Sequence, residues 1–491
     1  MHIFLNKALI ALPEKPLWKL WLLFFLYAAF VGLFVQLILL PHIMPAWHAG
    51  NGLLNSYSDS VIAHKMASHL AERINLEGWA VWELRPELQG QVGITAAIYA
   101  ITVSKPWVLI PLLAALHATA TLALLLVIDS LLCDRQKSLL AILPFFLYPS
   151  AISWYTQLLK DGYGVAGFSL ILYAWTKIAD QQRTWRGFKL AIGPIALLVA
   201  GVLLVWLARP YMVNIILLLS LTAVIFLTIV TTFRYFRQQD DRRVLLSKLT
   251  ILWMTLVIIV FLKPSADPVK QTLAYWNVET VREQVKAVPE QVEIVLKQRK
   301  AVRENETHSM KDVFVNAYEW LSETGSIMVN SMESKLIALA FAREGFRNVP
   351  ANLSVSKIDS EVKLTTVKGV LSYLPRAAQI AFLSPFPQHW FGTGSLEANT
   401  MMRRIAAFEM LGVYFCLIFL PYAIWFWRQK AEVWLVLIYC VPPLLMQGVV
   451  VANIGTLYRL RYGFLMALVA LGLAGFLTLI QRIKTRVTGG L

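Results

Sequence analysis

Cysteine, charge and nucleotide-binding motifs are what this chain lacks. Its three cysteines, Cys133, Cys416 and Cys440, lie in or beside apolar segments without a CxxC spacing. That excludes a disulfide framework and a thiolate metal site. Charged residues are 15% of the 491 residues, against 58% hydrophobic, and the mean hydropathy is +0.60; this balance belongs to a polytopic membrane protein rather than a soluble enzyme. No Walker A, GxGxxG, HExxH or GxSxG stretch stands in a suitable context, which argues against an ATP-driven pump and a soluble nucleotide-sugar fold. There is no tandem repeat and no low-complexity tract.

What the chain has is length in apolar runs. At about 20 apolar residues per crossing, roughly ten membrane helices are expected, giving an all-α polytopic protein. The first covers residues 20–40, too long for a signal-peptide core, and behind it Lys7, Lys15 and Lys19 place the N-terminal segment 1–19 in the cytoplasm. An outer loop, 41–105, follows, whose last part, 91–103, is too short to cross and is expected to dip into the outer leaflet. Spans at 106–132, 139–148, 162–178, 190–208, 212–233 and 250–262 complete a core domain, 20–262. Residues 263–404 form a long, mainly helical outer loop, with an amphipathic helix over 269–303 kinked at Pro289. Three C-terminal spans occupy 405–480, and 481–491 is a cytoplasmic tail. The net charge of +16 falls mostly in short loops between spans, and every basic loop lands on the same side. It therefore reports topology and contact with anionic lipid headgroups, not nucleic acid.

Candidate chemistry gathers at the outer ends. Residues 57–64 (YSDSVIAH) and 78–86 (GWAVWELRP) concentrate Asp59, His64, Trp82, Glu83 and Arg85 just after the first span. Asp59 fits two roles, a helix N-cap and a general base; Glu83 and Arg85 fit an interfacial ion pair or a site. Lys160 and Asp161 stand at the mouth of a short helix pair, and ionisable residues there mark function or snorkel to headgroups. Arg209, Arg459 and Arg461 put positive charge on the outer face, against the general trend; guanidinium binds phosphate oxygens bidentately. His389, in the SPFPQHW stretch at 384–390, and His64 lack a partner at metal-ligand spacing.

These features, in this order, resemble the GT-C superfamily of membrane glycosyltransferases, especially bacterial relatives of the dolichyl-phosphate-mannose-protein mannosyltransferases and aminoarabinose transferase. Asp59, Pro86 and residues 93–103 stand where that pattern has its first-loop acid, proline and membrane-dipping helix; Pro149, Asp161 and Arg209-Pro210 continue it. The resemblance covers the first half of the chain. It implies a polyprenyl-phosphate-linked sugar donor, a glycan, lipid or protein acceptor, and an active site facing the periplasm from a bacterial inner membrane. Asp59, Glu83 and Asp161 are then the catalytic candidates, with Arg85, Lys160, Arg209, Arg459 and Arg461 on the donor phosphate and His64, Trp82 and His389 toward the acceptor. The family often pairs two acids in the first loop, whereas Asp59 stands alone between serines, so a divalent cation, Mg or Mn, is an open expectation. Residues 384–387 and 453–461 resemble exopolysaccharide and O-antigen cluster proteins instead, which makes a polymerase or ligase acting on polyprenyl pyrophosphate the alternative. A lipid-linked oligosaccharide flippase or transporter ranks third, since the charged residues lie at helix ends and no repeated halves are found.

Overall fold

A computed structural model describes residues 14–55, 58–86, 89–184, 191–238, 242–261, 339, 342–343, 356–362, 364, 366–394 and 396–488. The amphipathic helix expected over 269–303 lies outside them. Among the described residues the regular elements are helices, with two isolated bridges besides, His48 with Leu54 and Lys357 with Asn453. The chain is an all-α polytopic membrane protein. Seven described helices are long and apolar enough to cross a bilayer: Leu17–Ile43, Pro106–Leu132, Pro210–Arg237, Arg243–Phe261, Glu397–Trp427, Ala431–Val450 and Tyr462–Val487.

The α-helices are α1 (Leu17–Phe34), α2 (Ser58–Glu77), α3 (Gly90–Ile101), α4 (Ile110–Leu132), α5 (Arg135–Ala141), α6 (Leu143–Leu147), α7 (Pro149–Thr156), α8 (Asp161–Thr184) and α9 (Ile192–Ala208). They continue as α10 (Pro210–Gln238), α11 (Arg242–Phe261), α12 (Val367–Leu383), α13 (Glu397–Ile418), α14 (Leu420–Trp427), α15 (Ala431–Val450), α16 (Ile454–Leu460) and α17 (Tyr462–Thr488). Three of the ten expected crossings are not among the seven apolar spans. The one at 139–148 is divided between the end of α5 and α6, with α7 starting just beyond it, because Pro144 and Pro149 each stand in the first turn of a new helix and cannot continue the preceding one. The other two are α8, which carries polar residues at both ends, and α9, at 17 residues. Two boundaries also move: α13 begins at Glu397, inside the expected loop, and α17 runs to Thr488, through most of the expected tail.

Packing follows from side-chain size. The helices α4 and α17 are the most enclosed spans, each 67% buried across its apolar window, whereas α1 is 28% buried. On α1 Leu22, Leu23, Leu26 and Phe30 are exposed, and on α10 Leu218, Ile225, Ile229 and Phe233; these apolar faces suit lipid. No hydrophobic force draws helices together inside a bilayer, so close van der Waals fit must do it, and small residues allow it. At the α8–α9 crossing Gly167 meets Gly201: a Cβ on either would fall 2.6 Å from the other's carbonyl oxygen. These two helices form an antiparallel hairpin whose open end carries Asp161 and Arg209.

The two ends of the bundle differ in charge. At one, the basic segments expected inside meet: Lys137 donates to Gln481 (2.7 Å) and Lys430 to the Leu131 carbonyl (2.8 Å). The other gathers the outer candidates.

Candidate functional site

Five side chains from four parts of the sequence converge at that outer end. Asp161 opens α8, where a carboxylate is favoured by the helix dipole, and Arg209 follows the last residue of α9. The Gly167–Gly201 approach brings these ends together, and Arg209 donates through Nη2 to Asp161 Oδ1 in a short, buried ion pair. Arg459 sits on α16, a two-turn helix capped at Asn453, whose Oδ1 accepts from Thr456 N at 3.0 Å. Its guanidinium bridges two acids: Nη2 is 2.9 Å from Asp59 Oδ2 and Nε 3.4 Å from Asp161 Oδ2. Asp59, in the first turn of α2, is the accessible member, its side chain 61% exposed against 4% for Asp161.

Lys160 completes the cluster, in the field of Arg209, Asp161, Asp59 and Arg459. Burial is the main cause that pulls its ammonium down to about 8, helped by Arg209 and Arg459 and opposed by the two carboxylates. The chemistry present is therefore one fixed, buried salt bridge, a bridging guanidinium, a lysine that titrates near neutrality and one carboxylate facing water. Arg209 Nε is buried without a hydrogen-bond partner.

The remaining candidates lie elsewhere. Glu83 is exposed and its charge acts on Arg73 of α2; it is not part of the cluster. Trp82 donates its indole N–H to the Gly93 carbonyl (2.9 Å), tying the 78–86 corner to α3. Arg85 stacks on Trp206, 4.7 Å from the ring centre. His64 lies five residues after Asp59 on α2, with Nδ1 3.0 Å from Tyr99 Oη and Nε2 3.3 Å from Asn51 Nδ2. Burial, then Lys105 and Lys65, lower its pKa, so it is neutral at pH 7. His389 is a half-buried residue of the 387–389 turn.

Arg461 departs most from expectation. It is fully buried, and its guanidinium donates to the carbonyls of Ile380 (3.3 Å), Ala381 (2.6 Å) and Ser384. A cation on the last carbonyls of α12 stabilises that helix end, so Arg461 clamps the fold, in place of the phosphate contact expected of it.

One acid escaped the sequence reading. Glu409 lies in α13, 5% exposed, and accepts from Ser150 N at 2.6 Å and from Tyr458 Oη. It braces Tyr458, the neighbour of Arg459. A carboxylate inside an apolar span is itself the signal that could have found it.

Among the described residues no three His, Cys, Asp or Glu side chains gather to hold a metal. The arrangement of the two acids also fits Mg or Mn poorly: Arg459 lies on both Asp59 and Asp161, and Arg209 on Asp161, so guanidinium already stands where a divalent ion would have to bind. No protein-family model, no curated protein and no solved structure matches this chain.

Proposed function

We propose that this chain is a membrane glycosyltransferase that moves a sugar from a polyprenyl-phosphate donor to an acceptor hydroxyl, at the extracytoplasmic face of a bacterial inner membrane. The observation that supports it is the convergence of Asp59, Lys160, Asp161, Arg209 and Arg459 at one end of an apolar bundle. Three cations against two carboxylates leave one net positive charge. That suits the single negative charge of a phosphodiester donor; the pyrophosphate donor of a polymerase or ligase brings two. Leu203 and Tyr211, on either side of Arg209 in sequence, are exposed and offer an isoprenoid tail an apolar wall.

In the proposed step the acceptor oxygen attacks the anomeric carbon. The carbon–oxygen bond to phosphate breaks with its electron pair going to the phosphate, and the hydroxyl proton passes to Asp59. One displacement inverts the anomeric centre. Arg209, held by Asp161, and Lys160 stabilise the charge on the departing phosphate. Arg459 exchanges the Asp59 carboxylate for the phosphate, and loss of that guanidinium raises the proton affinity of Asp59. Donor binding thereby turns on the base.

The test is native mass spectrometry of lipid copurified in mild detergent, with titration of polyprenyl phosphate into wild type, Arg459→Gln and Asp59→Asn. Wild type should retain a polyprenyl monophosphate. Arg459→Gln should bind it about 10- to 100-fold more weakly, the 1.5–3 kcal/mol of a charge-assisted hydrogen bond. Asp59→Asn should keep the donor and lose transfer. Bulk phospholipid alone in wild type, or equal affinity in Arg459→Gln, would overturn the reading; a pyrophosphate in wild type would move it to polymerisation.

A further inference from the structure

The opposite end of the bundle holds a second feature, independent of the outer cluster. A cavity of 780 Å³ opens among the ends of α4, α14 and α17. Among the described residues its lining includes four cations, Lys137, Lys430, Arg482 and Arg486, and no carboxylate; Asp134, beside it, is ion-paired with Lys137. The α17 contribution is a stripe at three- and four-residue spacing, from Thr478 to Arg486, so the cations share one helical face. Lys430 bonds the last carbonyls of α4 (Leu131, 2.8 Å; Ser130, 3.2 Å). Arg482 lies 4.3 Å from the centre of the Phe426 ring, and a stacked guanidinium keeps its in-plane N–H donors for an anion.

We propose that this cavity binds the phosphate of an anionic lipid headgroup from the leaflet at the basic end of the bundle. Four cations converging on a space this size recognise phosphate. Phe426, Trp427 and the α4 leucines 131 and 132 form an apolar wall beside them, which fits the glycerol and first acyl carbons of a lipid and gives nothing to a free ion. Basic pockets between membrane helices on that side are a recurrent headgroup site. The bound lipid bridges α4, α14 and α17, adding to the Arg482–Phe426 contact, the Lys137–Gln481 bond and the bonds of Lys430.

The test titrates phosphatidylglycerol and phosphatidylcholine separately into delipidated full-length protein, read by native mass spectrometry, for wild type and the double variant Arg482→Gln/Arg486→Gln. Both arginines are exposed, so the variant keeps the fold, checked by circular dichroism. Wild type should prefer phosphatidylglycerol, and the variant should bind it about 30-fold more weakly, the worth of two basic residues near an anionic surface. Equal binding of the two lipids, or no loss in the variant, would overturn the proposal. Displacement of phosphatidylglycerol by millimolar inorganic phosphate would overturn the lipid and leave a free-anion site. Failure of the outer-cluster reading leaves this result untouched, since neither variant position touches that cluster.

Discussion

At the scale of single residues the outer cluster is a problem of charge placed in a poorly hydrated corner. Removing one partner from a buried pair strands the other, so Asp161 and Arg209 each depend on the other's charge. Lys160 pays differently: with its pKa drawn down to about 8, it is charged below that pH and neutral above. A donor phosphate bound partly by its ammonium should therefore lose affinity as pH rises through 8, while Lys160→Met should bind more weakly at pH 7 and show no such fall. Binding isotherms at pH 6.5, 7.5 and 9 check this; an identical pH profile in the variant would remove Lys160 from the donor site. The five cluster residues were legible because each stands at an outer helix end, and a fixed topology forces such ends onto one face. Arg459 and Arg461 were not separable by that route. Two residues apart across the turn from α16 to α17, one bridges two acids and the other caps α12, and only the packing of α12 decides which. Glu409 stayed hidden for the same reason, its partners Ser150 and Tyr458 being remote in sequence.

At the scale of elements the α8–α9 hairpin sets the geometry. The helices can approach only because neither Gly167 nor Gly201 carries a Cβ, and a side chain at this crossing, six residues from Asp161 and eight from Arg209, would push apart the two helices that hold that pair. Gly201→Ala should destabilise the protein by about 1–3 kcal/mol, as overpacking does, and weaken donor binding. Gly193→Ala, in the same helix with nothing within 4 Å of the added methyl, should be neutral or raise stability by about 0.5–1 kcal/mol through helix propensity. Thermal unfolding in detergent separates the two; equal effects would mean that the crossing tolerates a methyl group. Long crossings were legible as apolar runs, 106–132 matching its helix end for end. The segment 135–156 was not, because two prolines divide one apolar stretch into three short helices, and length in sequence does not reveal a break in direction. The glycine contact was equally silent, since a glycine in an apolar run has no visible partner.

At the scale of the whole molecule, the basic segments meet at one end and the acid–arginine cluster at the other, which is the segregation that the positive-inside rule requires. Cys133 reports on it. Exposed beside the basic end, while Cys416 and Cys440 are buried, it should react with a membrane-impermeant maleimide only in inverted vesicles, and Cys133→Ser should abolish the signal. Labelling of right-side-out vesicles would invert the assignment of both ends. Overall charge made this polarity readable from sequence, because it depends on loop composition and not on contacts.

The bridge from Arg459 to Asp59 spans 400 positions of the chain, and that separation has a consequence for biosynthesis. A nascent chain emerges N-terminus first, so Asp59, Lys160, Asp161 and Arg209 are inserted while Arg459 does not yet exist. Until α15 to α17 enter the membrane, Asp59 lacks the guanidinium that joins it to Asp161, and the two acids belong to separate helical pieces. A stretch synthesised long after the other four residues thus closes the outer cluster, and a ribosome stalled before it leaves that cluster without its bridging guanidinium.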